Sequence, residues 1–103
     1  MKYTTTPRFD KDYKAVPREH RRQFTDLMVD FSAARDAYCA NPAGYTWPKS
    51  LRVSPMTSAN NIWEMTWSFA SPDGRATFEF ITHNGETSLL WRRIGSHAIY
   101  QKP

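Results

Sequence analysis

RATFEFITHNGETSLLWRRI, residues 75–94, carries apolar side chains at alternating positions and an Asn-Gly pair at its middle. Successive strand side chains point to opposite faces. Ala76, Phe78 and Phe80 therefore fall on one side of an extended chain, and Arg75, Thr77 and Glu79 on the other. Asn84-Gly85 favours a type I′ turn, whose twist suits the strands on either side. The stretch predicts a hairpin of RATFEFI against TSLLWRRI, ended by Gly95. IWEMTWSF, residues 62–69, keeps the same period, with Trp63, Met65, Trp67 and Phe69 facing one way and Ile62, Glu64, Thr66 and Ser68 the other. SPDG between the two is a turn by composition, and KSLRV, residues 49–53, reads as a short strand. The second half of the chain is thus a β-meander with one apolar face and one charged face.

Upstream of residue 39 the period changes to that of a helix. In PREHRRQFTDLMVDFSAARDAY, residues 17–38, Phe24, Leu27, Met28, Phe31, Ala34 and Tyr38 make one apolar stripe, while Arg18, Arg22, Asp26 and Asp30 lie away from it. Pro17 suits the first turn of that helix, and Arg22 and Asp26 are spaced to pair. RFDKDYKAVP, residues 8–17, gives a shorter helix with Phe9, Tyr13 and Val16 on one side and Asp10 as its N-cap. Lys2–Thr6 is β-rich and ends at Pro7, and CANPAGYTWP, residues 39–48, is a loop by its Pro and Gly content. The order β-α-α-β-β-β-β predicts an α+β fold, a helical hairpin packed on one face of an antiparallel-rich, four- to five-stranded sheet. Residues 1–103 form one domain.

Composition narrows the function classes. Cys39 is the sole cysteine, so no internal disulfide framework exists and a reducing compartment is expected. The N-terminal residues lack the apolar block of a signal peptide, and no apolar run reaches the length of a membrane span. A cytoplasmic protein without membrane contact is the expectation. Nine arginines and five lysines against ten acids leave a net charge of +4, which permits a polyanionic partner without requiring one. Three histidines and one cysteine are scattered with no metal-ligand spacing, so neither a metal nor another cofactor is expected. His20 lies on the polar part of the long helix and His83 precedes a hairpin turn.

The charged sheet face and the segment after it hold the chemistry. Arg75 begins one strand, and Arg92 or Arg93 ends its hairpin neighbour about 5 Å away. Strict alternation puts one of those two on the charged face: with Trp91 in the core, Arg93 shares its side and Arg92 points outward, unless a bulge near Gly95 reverses them. His97 and Tyr100 follow the turn, and an imidazole exchanges protons near neutral pH. Glu64 is a second proton acceptor. Such a set suits cleavage of RNA by its own 2′-hydroxyl, which needs a base, an acid and cationic stabilisation of the phosphorane. The same residues also fit a plainer reading: solvated arginines at strand ends, a surface histidine, and Glu64 paired with Arg75 across the sheet. Trp47, in the Pro-rich loop, is the aromatic expected to be exposed and to stack on a base.

TPRFDKDYKAVP, WPKSLRV, IWEMTWS, GRATFEF and WRRIGSHAIY, in that order, resemble the RelE/ParE superfamily of bacterial type II toxins across nearly the whole chain. The most specific piece is Arg93-Ile94-Gly95-Ser96-His97, similar to the Arg-x-Gly-Thr-His ending of its mRNA interferase members. The resemblance implies an endoribonuclease that cuts mRNA in the ribosomal A site, inhibits translation and is silenced by a cognate antitoxin. It implies further that Arg75 and Arg93 hold the scissile phosphate and that His97 acts as general acid or base. Tyr100 would orient the substrate, while Lys49 and Arg52 would grip the RNA backbone, with Arg92 beside them. Ala98 departs from the pattern, where a polar residue often follows the histidine. Two alternatives remain open: a ParE-like toxin that binds DNA gyrase without cutting RNA, and a catalytically inactive relative that binds RNA or the ribosome.

Overall fold

The computed structural model describes residues 3–57, 59–67 and 74–103, apart from the side chains of Ser50, Trp67, His83 and His97. Strand β1 (Tyr3–Thr5) leads into helix α1 (Pro7–Ala15) and helix α2 (Arg18–Ala40). A 3-10 turn (Lys49–Leu51) precedes β2 (Val53–Pro55), then come β3 (Trp63–Trp67), β4 (Gly74–His83) and β5 (Glu86–Gly95), and a second 3-10 turn (His97–Gln101) closes the order. The sheet runs β1-β5-β4-β3-β2, with β1 parallel to β5 and every other pair antiparallel.

The hairpin forms as its residues dictate. Asn84 and Gly85 both adopt positive φ, 52° and 80°, the requirement of a type I′ turn. Phe78 faces Trp91, and Phe80 faces Leu89. Met65, Ala76, Phe78, Leu89, Trp91 and Ile94 are all buried. Trp91 is the hub of the core. Its ring centroid lies 5.9 Å from Phe9, 5.3 Å from Phe24, 5.2 Å from Phe31 and 5.3 Å from Phe78, so one side chain joins both helices to the sheet. Removing such a side chain costs about 3–5 kcal/mol.

Several local expectations are corrected. Thr6, not Asp10, caps α1: its hydroxyl accepts from the Phe9 amide at 3.0 Å and donates to the Arg92 carbonyl at 2.8 Å. A cap made by a strand-end threonine lets Pro7 start the helix, where its missing N–H is no loss. Residues 49–51 wind into a 3-10 turn, and the strand begins only at Val53, after Arg52 takes left-handed backbone (φ 47°). Trp47 is not an exposed platform. It packs 6.0 Å from Phe31 and 5.2 Å from Tyr38, with Tyr45 and Trp63 also against it, because the loop folds over the β3 edge of the core. Arg35 is buried on the stripe of α2, beside Asp36 at 3.5 Å. The expected side-chain directions of Trp67, Ser68 and Phe69, and most of the SPDG turn, lie outside the described residues.

β5 contains a bulge. Thr77 pairs with Arg93 and Phe78 with Trp91, leaving Arg92 as an extra residue. Two residues of the bulged strand oppose one on its neighbour, so Arg92 and Arg93 both leave the core face while Trp91 and Ile94 stay on it. The bulge lies at the arginines rather than near Gly95, and Arg93 does not share the side of Trp91.

Candidate active site

Opposite the core, the sheet presents two rows of side chains. Ser54, Glu64, Thr77 and Arg93 line up across β2, β3, β4 and β5, and beside them run Thr66, Arg75 and Gly95. The segment after β5 turns back over this face. Ser96 caps the closing 3-10 turn by accepting from the Ala98 amide at 3.4 Å. Ile99 becomes buried against Gly95, where an added Cβ would lie 3.1 Å from the isoleucine methyl. Gly95 thus does more than end the strand: its bare Cα gives the tail room to cross.

The fold-back delivers Tyr100 to the second row. Its ring lies 6.0 Å from the Arg75 guanidinium, in cation–π range, and its phenol is within hydrogen-bonding reach of the Glu64 carboxylate and the Thr66 hydroxyl. Burial pushes the phenol's pKa above its ordinary value of 10; the Glu64 carboxylate acts in the same direction, while the Thr66 hydrogen bond and Arg75 oppose it. Tyr100 is therefore a hydrogen-bond donor throughout the neutral range. Glu64 also accepts from the Ser54 hydroxyl at 3.4 Å. Arg75 is half-buried, and its Nη1 bonds the Gly74 carbonyl at 3.3 Å. Together these residues present a carboxylate, a guanidinium and a protonated phenol on one patch.

Arg92 and Arg93 are engaged differently. Arg93 grips Asp12 of α1 with two bonds, Nε to Oδ2 at 2.5 Å and Nη2 to Oδ1 at 3.2 Å, and its Nη1 donates to the Lys102 carbonyl at 3.1 Å. Asp12 accepts the Ile94 amide as well. Both side chains of that pair are about 15% exposed, so the expected phosphate ligand is committed to holding α1 and the tail against β5. Arg92 pairs with Glu79 at 3.2 Å and donates to the Pro103 backbone oxygen at 3.1 Å. The Thr77 hydroxyl donates to that same oxygen, and the tail leaves Thr77 fully buried on a face the sequence reads as open.

Of the expected site residues, Glu64, Arg75 and Tyr100 come together. Lys49 and Arg52 are exposed beside β2, and Trp47 is half-buried against the core. The side chain of His97 lies outside the described set; its backbone opens the 3-10 turn three residues before Tyr100. Sequence reasoning missed Thr66 and Ser54 as partners in the patch, although alternation had placed Thr66 on this face. It also missed Asp12, whose pairing spans 81 residues and leaves no local trace. Among the described residues no three His, Cys, Asp or Glu side chains cluster as metal ligands would, and no helix is long and apolar enough to cross a membrane.

A second concave feature lies on the opposite side of the sheet. A groove of about 710 Å³ runs between β1, α1 and α2, lined by Phe9, Tyr13, Phe24, Met28 and Trp91 together with Lys14 and Arg35. Its surface is mainly apolar, so it suits an apolar guest more than a phosphodiester. No family model, curated protein or solved structure matches the chain.

Proposed function

We propose that this chain is the toxin of a type II toxin-antitoxin system, a RelE-like, ribosome-dependent mRNA endoribonuclease. The observation that carries the reading is the convergence of Glu64, Arg75 and Tyr100 on the open sheet face. In the proposed mechanism Glu64 takes the proton of the RNA 2′-hydroxyl, whose oxygen attacks the adjacent phosphorus. Arg75 neutralises the charge that develops on the phosphorane, the kind of preorganised stabilisation worth 10²–10³ in rate for a single donor. The departing 5′-oxygen takes a proton from the Tyr100 phenol or from His97. The products are a 5′-hydroxyl and a 2′,3′-cyclic phosphate, which water can open to a 3′-phosphate. Lys49 and Arg52 guide the backbone toward the patch. A cognate antitoxin occupies the aromatic groove between α1 and α2 with an amphipathic segment.

Purified protein added to a translating extract tests this. Cleavage of mRNA that disappears in Arg75→Ala supports it. Arrested replication with intact mRNA overturns it in favour of a protein target such as gyrase. The Arg93–Asp12 pairing favours a second reading, in which the fold binds RNA or the ribosome without cutting. That reading requires ribosome association with no cleavage at any pH.

A further inference from the structure

The net charge of +4 is not spread evenly. Residues 8–22 hold six of the 14 cations and three of the ten acids, so this stretch alone carries three of the four net positive charges. It forms α1, the Pro17 joint and the first turns of α2. Arg8, Lys11, Lys14, Arg18 and Arg22 are all exposed, whereas Asp12 is turned inward onto Arg93. Two acids, Asp10 and Glu19, remain on the outside. On the sheet face, by contrast, Arg92 and Arg93 are each paired with a carboxylate. Most of the net positive charge therefore belongs to the helical corner rather than to the strands that carry Glu64 and Arg75.

The cations sit where they do not help the helix. Arg18 opens α2, which has no side-chain cap at Pro17, and positive charge at that first position opposes the helix dipole. Local rules broken in this way accompany function more often than stability. Arg21 is partly fixed by stacking on Tyr13, 5.9 Å from guanidinium to ring centroid. Among the described residues the exposed large apolar side chains are Tyr3 and Val29, neither within the corner, so it lacks the anchors of a membrane-surface helix. Arginine's planar fork suits phosphate oxygens.

We propose that the α1–α2 corner is a docking surface for the phosphate backbone of folded, double-stranded RNA, separate from the patch that would cut. The choice of RNA over DNA rests on the proposed function; the surface itself rests on the charge distribution. If the chain works on the ribosome, this corner holds it against RNA helices while the opposite side of the sheet meets the message.

The test is equilibrium binding of the full chain to a short RNA hairpin across a salt series, with a DNA duplex of the same sequence and phosphatidylserine vesicles as parallel arms. No cleavage is read, so failure of the nuclease reading leaves the result intact. Wild type should bind the RNA with a steep salt dependence. Lys11→Ser/Arg18→Ser/Arg22→Ser should bind at least about tenfold more weakly, with the log–log salt slope reduced by about 2 to 3. The triple variant should remain folded, with a thermal midpoint lowered by no more than about 8 °C, the scale of three exposed helix-propensity losses. An unchanged slope in the triple variant overturns the proposal. So does a preference for vesicles or for DNA over RNA, or equal weakening by Lys102→Ser alone.

Discussion

Arg75 and Arg93 occupy neighbouring rows on the same face of the same hairpin, yet different parts of the chain close over them. Arg93 lies under α1 and the tail, with both edges of its fork on Asp12 and a third bond to Lys102. Arg75 lies one row away, with a backbone carbonyl at 3.3 Å and an aromatic ring above it. A guanidinium closed on a carboxylate contributes to the fold. One lying against a phenol ring stands instead within the Glu64–Tyr100 patch. Residue type and strand face are equal in the two cases, and the difference comes from what the rest of the chain packs above them.

That contrast can be broken by substitution. Arg75→Ala should lower mRNA cleavage by two to three orders of magnitude in a translating extract, with a smaller loss of stability than Asp12→Asn. A loss of stability on the scale expected for Asp12 would mean that Arg75 is structural too. Asp12→Asn should cost about 3 kcal/mol in urea unfolding, because it leaves the Arg93 cation largely buried without its counter-charge. If the variant is as stable as wild type, the pair is not the clamp described here.

Tyr100→Phe keeps the ring over Arg75 and removes the phenol. Cleavage should fall by about a hundredfold, the lower end of the usual range for one acid–base group. Its pH behaviour sharpens the point. Burial raises the folded-state pKa of Tyr100 above 10, so the folded chain holds this proton longer than the unfolded chain does. The associated stability is complete below pH 10 and is lost as pH climbs through the folded value. Wild type should therefore lose stability more steeply than Tyr100→Phe above pH 10 in denaturant titrations. Thr6→Ala should have the smallest effect, about 1 kcal/mol from the lost cap, read in the same unfolding assay.

The hairpin, the order of elements and the face carrying Glu64, Thr66 and Arg75 were legible in the sequence because they follow from a period of two and one turn signal. The bulge was not, since Arg92 and Arg93 are equally polar and periodicity cannot say which is supernumerary. Nor was the covering of Thr77, which depends on where a tail of eight residues lies. Asp12 stands out by no motif or spacing within its short helix. Its partner is set by docking α1 onto β5, a contact between the two ends of the chain. Trp47 was misplaced for the same reason, because loop composition does not reveal that Phe31, Tyr38 and Trp63 surround it. Pairings encoded within a few residues were visible, and those created by closure of the chain were hidden.

The doubled arginine of β5 has an evolutionary corollary. Losing one residue from the middle of a strand ordinarily turns the remainder over, exchanging inside for outside. Here the strand already carries one residue too many: with Arg92 excised, Trp91 would still face Phe78 and the next arginine would still face Thr77. This is a position where the length of the protein is free to drift by one codon while the interior stays in phase.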